Sequence, residues 1–240
     1  MKRAYLVLIV FLLIVSAGDA IASSSDLPQA EMVRNANRVQ VPFIENKGHI
    51  ENKEVIFFAS TFGGMGTIYI EKNGTIIYNF PYTAKQEIVI KESFTQKDIT
   101  LTPLEPPSPA VIEMFKKRMD LKEDISNYYR ISWGEIYKAI NLEVTVYMDT
   151  LEKLLTVLPG GNTENIKIAI KGVTGLKVEE NGKLELITEL GSGKFNEPFA
   201  YQVSGDEHKA VEVSYGIHKG TAYGFKVGKY DKNKPLMIRF

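Results

Sequence analysis

The sequence predicts a mostly β protein, an antiparallel β-sandwich with one helix in a connecting segment. Three observations predict it. Short runs rich in Val, Ile, Phe and Tyr recur from Val39 to the end of the 240 residues, punctuated by Gly, Asn and Pro. Asn-Gly pairs sit between two of these runs, at Asn73-Gly74 and Asn181-Gly182, and that dipeptide tolerates the positive φ a tight hairpin demands. Only one segment has a convincing helical pattern, too few to supply the crossovers of a parallel sheet.

In chain order, residues 1–22 read as a secretory signal peptide. Met1-Lys2-Arg3 is the positive start, residues 4–17 the apolar run, and Ala20-Ile21-Ala22 the small-residue cleavage site. The run is shorter than the roughly 20 residues a membrane-spanning helix needs, which favours cleavage over anchoring. Residues 23–38 form a polar leader, with a short helix at 29–34 after Pro28. Strands follow at 55–59, 67–71, 75–80, 87–90 and 98–101. Pro103, Pro106, Pro107 and Pro109 then interrupt the pattern. Residues 108–123 read as a helix capped by Ser108, with Ile112, Phe115 and Met119 on the face it lays on a sheet. The second half carries strands at 143–148, 151–158, 166–170, 176–179, 183–188, 200–203, 211–217, 222–227 and 236–240.

The spacing of apolar residues, glutamate and Asn-Gly at 68–78 recurs at 176–186, and each copy follows another apolar run. This predicts two related β lobes, 39–104 and 126–240, joined by a Pro-rich linker and helix at 105–125. A chance match of two common hairpins is the competing reading.

Cleavage would remove Lys2, Arg3 and Asp19, leaving 27 basic and 28 acidic side chains. Neither sign dominates, so binding to nucleic acid or to an anionic membrane through a basic face has no support. Cysteine is absent, which excludes disulfides, thiolate metal sites and a lipidated cysteine. The expected location is extracytoplasmic, secreted or at the cell surface.

Phe43-Ile44-Glu45-Asn46-Lys47-Gly48-His49, Asn127-Tyr128-Tyr129 with Trp133, Ile140-Asn141-Leu142, Leu158-Pro159-Gly160-Gly161-Asn162, Tyr201-Gln202, Gly228-Lys229-Tyr230-Asp231 and Pro235-Leu236-Met237-Ile238 follow one another in a fixed order. This succession resembles the uncharacterised extracellular domain that precedes SBBP-type β-propeller repeats in large bacterial and archaeal surface proteins, over residues 41–238. The resemblance implies a surface role and no known catalytic residues. It also implies propeller blades after Ile238, where this sequence has Arg239-Phe240, and residues 83–124 depart from the family text.

Chemical motifs are weak. His49, His208 and His218 lack partners at metal-ligand spacing. Ser192, between Gly191 and Gly193, lacks the outer glycines of a nucleophile elbow. Gly63-Gly64-Met65-Gly66 has no lysine or helix start for phosphate and reads as a connector. Asp231-Lys232-Asn233 reads as a turn, not a calcium loop. Tyr128, Tyr129, Trp133 and Tyr137 form the densest aromatic cluster, either core packing or a sugar-binding face.

The expected function is therefore a non-catalytic module acting through contacts with a surface protein or polysaccharide, without a metal or other cofactor. Self-assembly by strand addition through residues 235–240 or another sheet edge is its concrete form. A carbohydrate-binding module, a secreted glycan hydrolase with paired carboxylates, and a closing outer-membrane strand ending in Phe240 are the alternatives.

Overall fold

The computed structural model describes residues 39–60, 66–94, 99–118, 125–147, 150–205 and 207–240. Residues 1–38, on which the expected signal peptide and leader fall, and the glycines at 63 and 64 lie outside the described residues. Along the chain the strands are β1 (Gln40–Val41), β2 (Phe43–Glu45), β3 (Val55–Ser60), β4 (Thr67–Glu71), β5 (Ile76–Thr83), β6 (Gln86–Ser93) and β7 (Thr102–Leu104). After helix α1 (Pro109–Arg118) come β8 (Asn127–Tyr128), β9 (Arg130–Tyr137), β10 (Ile140–Tyr147), β11 (Thr150–Val157), β12 (Ile168–Lys171) and β13 (Gly175–Val178). The last are β14 (Leu184–Ile187), β15 (Ser192–Phe195), β16 (Phe199–Ser204), β17 (Glu207–Val211), β18 (Val213–His218), β19 (Ala222–Val227) and β20 (Leu236–Arg239).

These strands make three open antiparallel sheets. One runs β17-β16-β20-β11-β10-β9-β7 with β1 beside β10, the second β18-β19-β12-β6-β5-β4-β3-β2-β8, and the third β13-β14-β15. Alternation in the strands explains the layering. Leu142, Val144 and Val146 of β10, Leu155 and Val157 of β11, and Leu236 and Ile238 of β20 point inward from the first sheet. Ile68 and Ile70 of β4, Ile90 of β6, and Ile168 and Ile170 of β12 answer from the second, all within one core cluster. The antiparallel sandwich with one helix is thus as the sequence predicts.

Several expectations need correction. Strands from 39–104 and 126–240 share the second sheet, and β7 pairs with β9 of the first, so two separate lobes do not form. The two Asn-Gly hairpins sit differently as well. β3 pairs with β4, whereas β12 pairs with β6 and β19 and leaves β13 to the third sheet. The hairpins do share turn chemistry. Gly74 and Gly182 take φ of 79° and 80°, and Asn73 and Asn181 each accept the backbone N–H two residues on, at 2.9 and 3.1 Å. Only the glycine of each pair is left-handed, as in a type I turn followed by a bulge glycine.

The strand expected at 98–101 lies instead at Thr102–Leu104, where the prolines confine it to a sheet edge. The strand expected at 211–217 is split. Glu212 separates β17 in the first sheet from β18 in the second, because the chain crosses between layers there. The last strand is not an edge either. β20 lies between β11 and β16, which corrects both strand addition through residues 235–240 and a terminal Phe facing lipid, since Phe240 is buried.

Helix α1 lies against the sandwich as predicted. Val111 packs on the main core and Ile112 on a smaller cluster of Ile44, Phe58 and Ile125. Met119 lies outside the described residues. At the turn before β5, a Cβ on Gly74 would sit 2.8 Å from Trp133 Nε1 and 2.9 Å from Ile99 Cδ1, at a φ that side chains rarely adopt. Gly74→Ala is therefore expected to lower stability by more than about 1 kcal/mol, read as a lower urea midpoint.

Candidate functional site: a charged knot between the sheets

In β11 the inward alternation Leu151, Lys153, Leu155, Val157 carries a lysine in its second place. In β6 the inward alternation Ile88, Ile90, Glu92 ends on a glutamate. Period-two geometry obliges both charges to face the core, and the facing sheets bring them together. Lys153 Nζ donates to Glu92 Oε1 at 2.8 Å and Oε2 at 2.9 Å, with side-chain exposures of 1% and 0%. Lysine and glutamate are almost never this buried unless paired.

Two tyrosines complete the knot. The Tyr78 hydroxyl of β5 donates to Glu92 Oε2 at 2.6 Å and that of Tyr223 in β19 donates to Oε1. Both hydroxyls accept from Lys153, at 3.4 and 3.1 Å. The ammonium faces the ring of Phe195 at 3.9 Å and that of Phe240 at 4.6 Å, so aromatic faces supply the remaining cation shell. Phe195 belongs to β15, hence all three sheets meet at one lysine.

Burial pushes the Lys153 amine below its ordinary value, against the opposing pull of Glu92. Burial, reinforced by the Glu92 charge, holds Tyr78, Tyr223 and neighbouring Tyr215 well above theirs. The sign of the pH dependence follows. Above about pH 10 these hydroxyls stay protonated in the fold while they ionise in the unfolded chain, so the unfolded state binds fewer protons and stability falls as pH rises. Lys153 acts oppositely, below its ordinary value, and is one group against three. Stability is expected to drop steeply above pH 10, and Tyr223→Phe to make the drop shallower in alkaline urea titrations.

A family model for a domain of unknown function, DUF7948, matches residues 43–238, nearly all of the described sandwich. The chain belongs to the DUF7948 family. No curated protein and no solved structure matches it.

The aromatic candidates of this DUF7948 domain do not form one face. Trp133 is 1% exposed in β9 of the first sheet, its Nε1 donating to Gly74 O at 2.8 Å. Tyr128 is half-buried in β8 of the second sheet and edge-on to Phe57. Tyr129 is half-buried between them in sequence, its N–H donating to Glu105 O at 2.9 Å. Tyr137 joins Lys167 through its hydroxyl at 2.7 Å. Trp133 is thus committed to the core, while Tyr128 and Tyr129 stay half-buried.

Asp231-Lys232-Asn233 is a turn, as expected, with Asn233 N–H donating to Asp231 Oδ1 at 2.9 Å. Buried Gln202 clamps it, accepting from Asp231 N at 2.8 Å and donating to Asp231 O at 2.8 Å. Ser192 opens edge strand β15. No group of three or more His, Asp or Glu suited to a metal occurs among the described residues.

Two surface depressions lie among the described residues. One, of about 140 Å³ on the outer face of the first sheet, gathers Glu105, Glu143 and Glu152 with Arg130 and Arg239. Arg130 binds both Glu105 and Glu143, the latter at 2.9 Å, and Arg239 approaches Glu152 at 3.3 Å, so each carboxylate faces a guanidinium. The other, of about 410 Å³, is an open groove between the β5–β6 hairpin side and the third sheet, with Glu87 and Glu189 on its walls. Sequence reading missed the knot, although a charged residue at an inward strand position was its signal.

Proposed function

We propose that this DUF7948 protein is an exported, non-catalytic β-sandwich module that works at the cell surface or in an extracellular assembly, through contacts with a protein or polymer. The observation that carries this reading is where the ionisable chemistry lies. Tyr78, Tyr215 and Tyr223, whose hydroxyls burial holds well above their ordinary value, and Lys153, whose amine burial pushes below its own, are buried between the sheets. Lys153 binds Tyr78 and Tyr223, and Tyr215 donates to Asn196 O. Groups in that position hold layers together and meet no substrate.

The sheet edges support contact as the mode of action. β17 ends the first sheet and β18 ends the second, and nearby Val203 and Ile217 are 41% and 44% exposed. Unpaired edges with apolar side chains accept an added strand. The Lys-Arg start, short apolar run and Ala20-Ile21-Ala22 of the sequence support export, and so does the resemblance to domains that precede SBBP repeats.

Fractionating the native cells and sequencing the N-terminus of the protein tests export. The expected chain begins at Ser23 outside the cytoplasm; a cytoplasmic chain retaining residues 1–22 contradicts the reading. Ile217→Lys, a charge on the open edge, is expected to weaken association in cross-linking of the cell envelope while leaving the melting temperature within about 2 °C.

A further inference from the structure

The geometry points to an intramolecular isopeptide bond between Lys153 Nζ and the Glu92 side-chain carboxyl, bolting the first sheet to the second. This inference is independent of where the chain works. Three requirements of amide formation coincide in the knot. The first is approach. Lys153 Nζ lies 2.8 and 2.9 Å from the two carboxyl oxygens, which sets the amine about 3 Å from the carbon they share, the spacing of a near-attack pair.

The second is a stabilised oxyanion. Tyr78 and Tyr223 each donate to a different oxygen of Glu92, so a hydroxyl is in place at whichever oxygen gains charge when the tetrahedral centre forms. The third is dryness. Phe195 and Phe240 stand 3.9 and 4.6 Å from the nitrogen, and neither charged group exceeds 1% exposure. Exclusion of water strengthens these interactions and keeps it from reversing the bond.

The reaction balances without a co-reactant. A proton passes from the Lys153 ammonium to the Glu92 carboxylate, giving amine and acid, a transfer that burial of the amine favours. The nitrogen lone pair attacks the carboxyl carbon, and the C–N bond forms as the C=O π pair moves to the oxygen held by one tyrosine. Its second proton then leaves nitrogen through the other tyrosine hydroxyl, which accepts it and donates its own to the departing hydroxyl. The C–O bond breaks, and amide and one water result. Two buried charges, costly to keep from water, are replaced by one neutral amide.

A cross-link between positions 61 residues apart would restrain a chain that has no cysteine to do so.

The test is peptide mapping of the purified full-length chain by tandem mass spectrometry after denaturation and digestion. The expected result is a branched peptide joining the segments of Glu92 and Lys153, about 18 Da lighter than their sum. It should be missing from Lys153→Met and reduced in Tyr78→Phe/Tyr223→Phe. Quantitative recovery of the two linear peptides from folded wild-type protein overturns the inference. A loss of water mapped to any other pair of residues overturns it too.

Discussion

Lys153→Ala is expected to destabilise the domain by at least about 3–5 kcal/mol, because it strands the Glu92 carboxylate in the core without its cation. The lysine fills three roles at once. Its ammonium answers Glu92, it donates to the hydroxyls of Tyr78 and Tyr223, and its charge rests on Phe195 and Phe240. Alanine removes all three and leaves a cavity where the sheets meet. Glu92→Ala should cost a comparable amount from the other side, leaving a buried ammonium and two tyrosine hydroxyls without their acceptor. The double replacement Lys153→Met/Glu92→Leu is expected to regain most of the loss, since an apolar pair of similar volume carries no desolvation cost. Chemical denaturation of the four proteins reads the pattern. Two small and additive single effects would mean that the pair is not sealed.

Deleting residues 235–240 is expected to abolish folding. β20 pairs with β11 on one side and β16 on the other, so its loss splits the first sheet and exposes two inner edges. Leu236, Ile238 and Phe240 are 0%, 0% and 5% exposed, and burying a side chain of this kind stabilises by about 1.5–3 kcal/mol. The three together approach the entire stability of an ordinary domain, about 5–15 kcal/mol. Phe240 also forms part of the lysine's aromatic wall, and its backbone exchanges hydrogen bonds with Lys153 at 2.9 and 3.1 Å. Circular dichroism and proteolysis of the truncated chain should show an unfolded, rapidly digested protein; a resistant, β-rich product would contradict the topology.

Local rules made much of the architecture legible. Thr67–Glu71 and Ala222–Val227 match their predicted bounds, because apolar alternation bounded by Gly or Asn is a short-range property. β9 was missed, since Arg130, Gly134 and Glu135 interrupt its apolar text. It is a strand because β10 and β7 pair with it, and pairing is decided by residues far away in sequence. The layering was missed for the same reason. The repeated Asn-Gly hairpins share local turn geometry, yet the partners of each copy are chosen by the whole sheet.

The knot was legible only in halves. Leu151-Glu152-Lys153-Leu154-Leu155 and Ile90-Lys91-Glu92 lie in strands whose burial alternates, and each puts a charge on the inward face. One such charge in a strand reads as a solvated face. Only the approach of β6 to β11 across the core shows that the two charges answer each other, and that Tyr78 and Tyr223 were placed to hold them.

Acylation of the folded protein with an amine-reactive reagent, mapped by peptide, tests the sealing of Lys153 most directly. Exposed lysines such as Lys85 and Lys232 should be modified fully while Lys153 stays unmodified in the folded protein. Modification of Lys153 at the rate of Lys232 under native conditions would show that no dry, charged knot holds these sheets together.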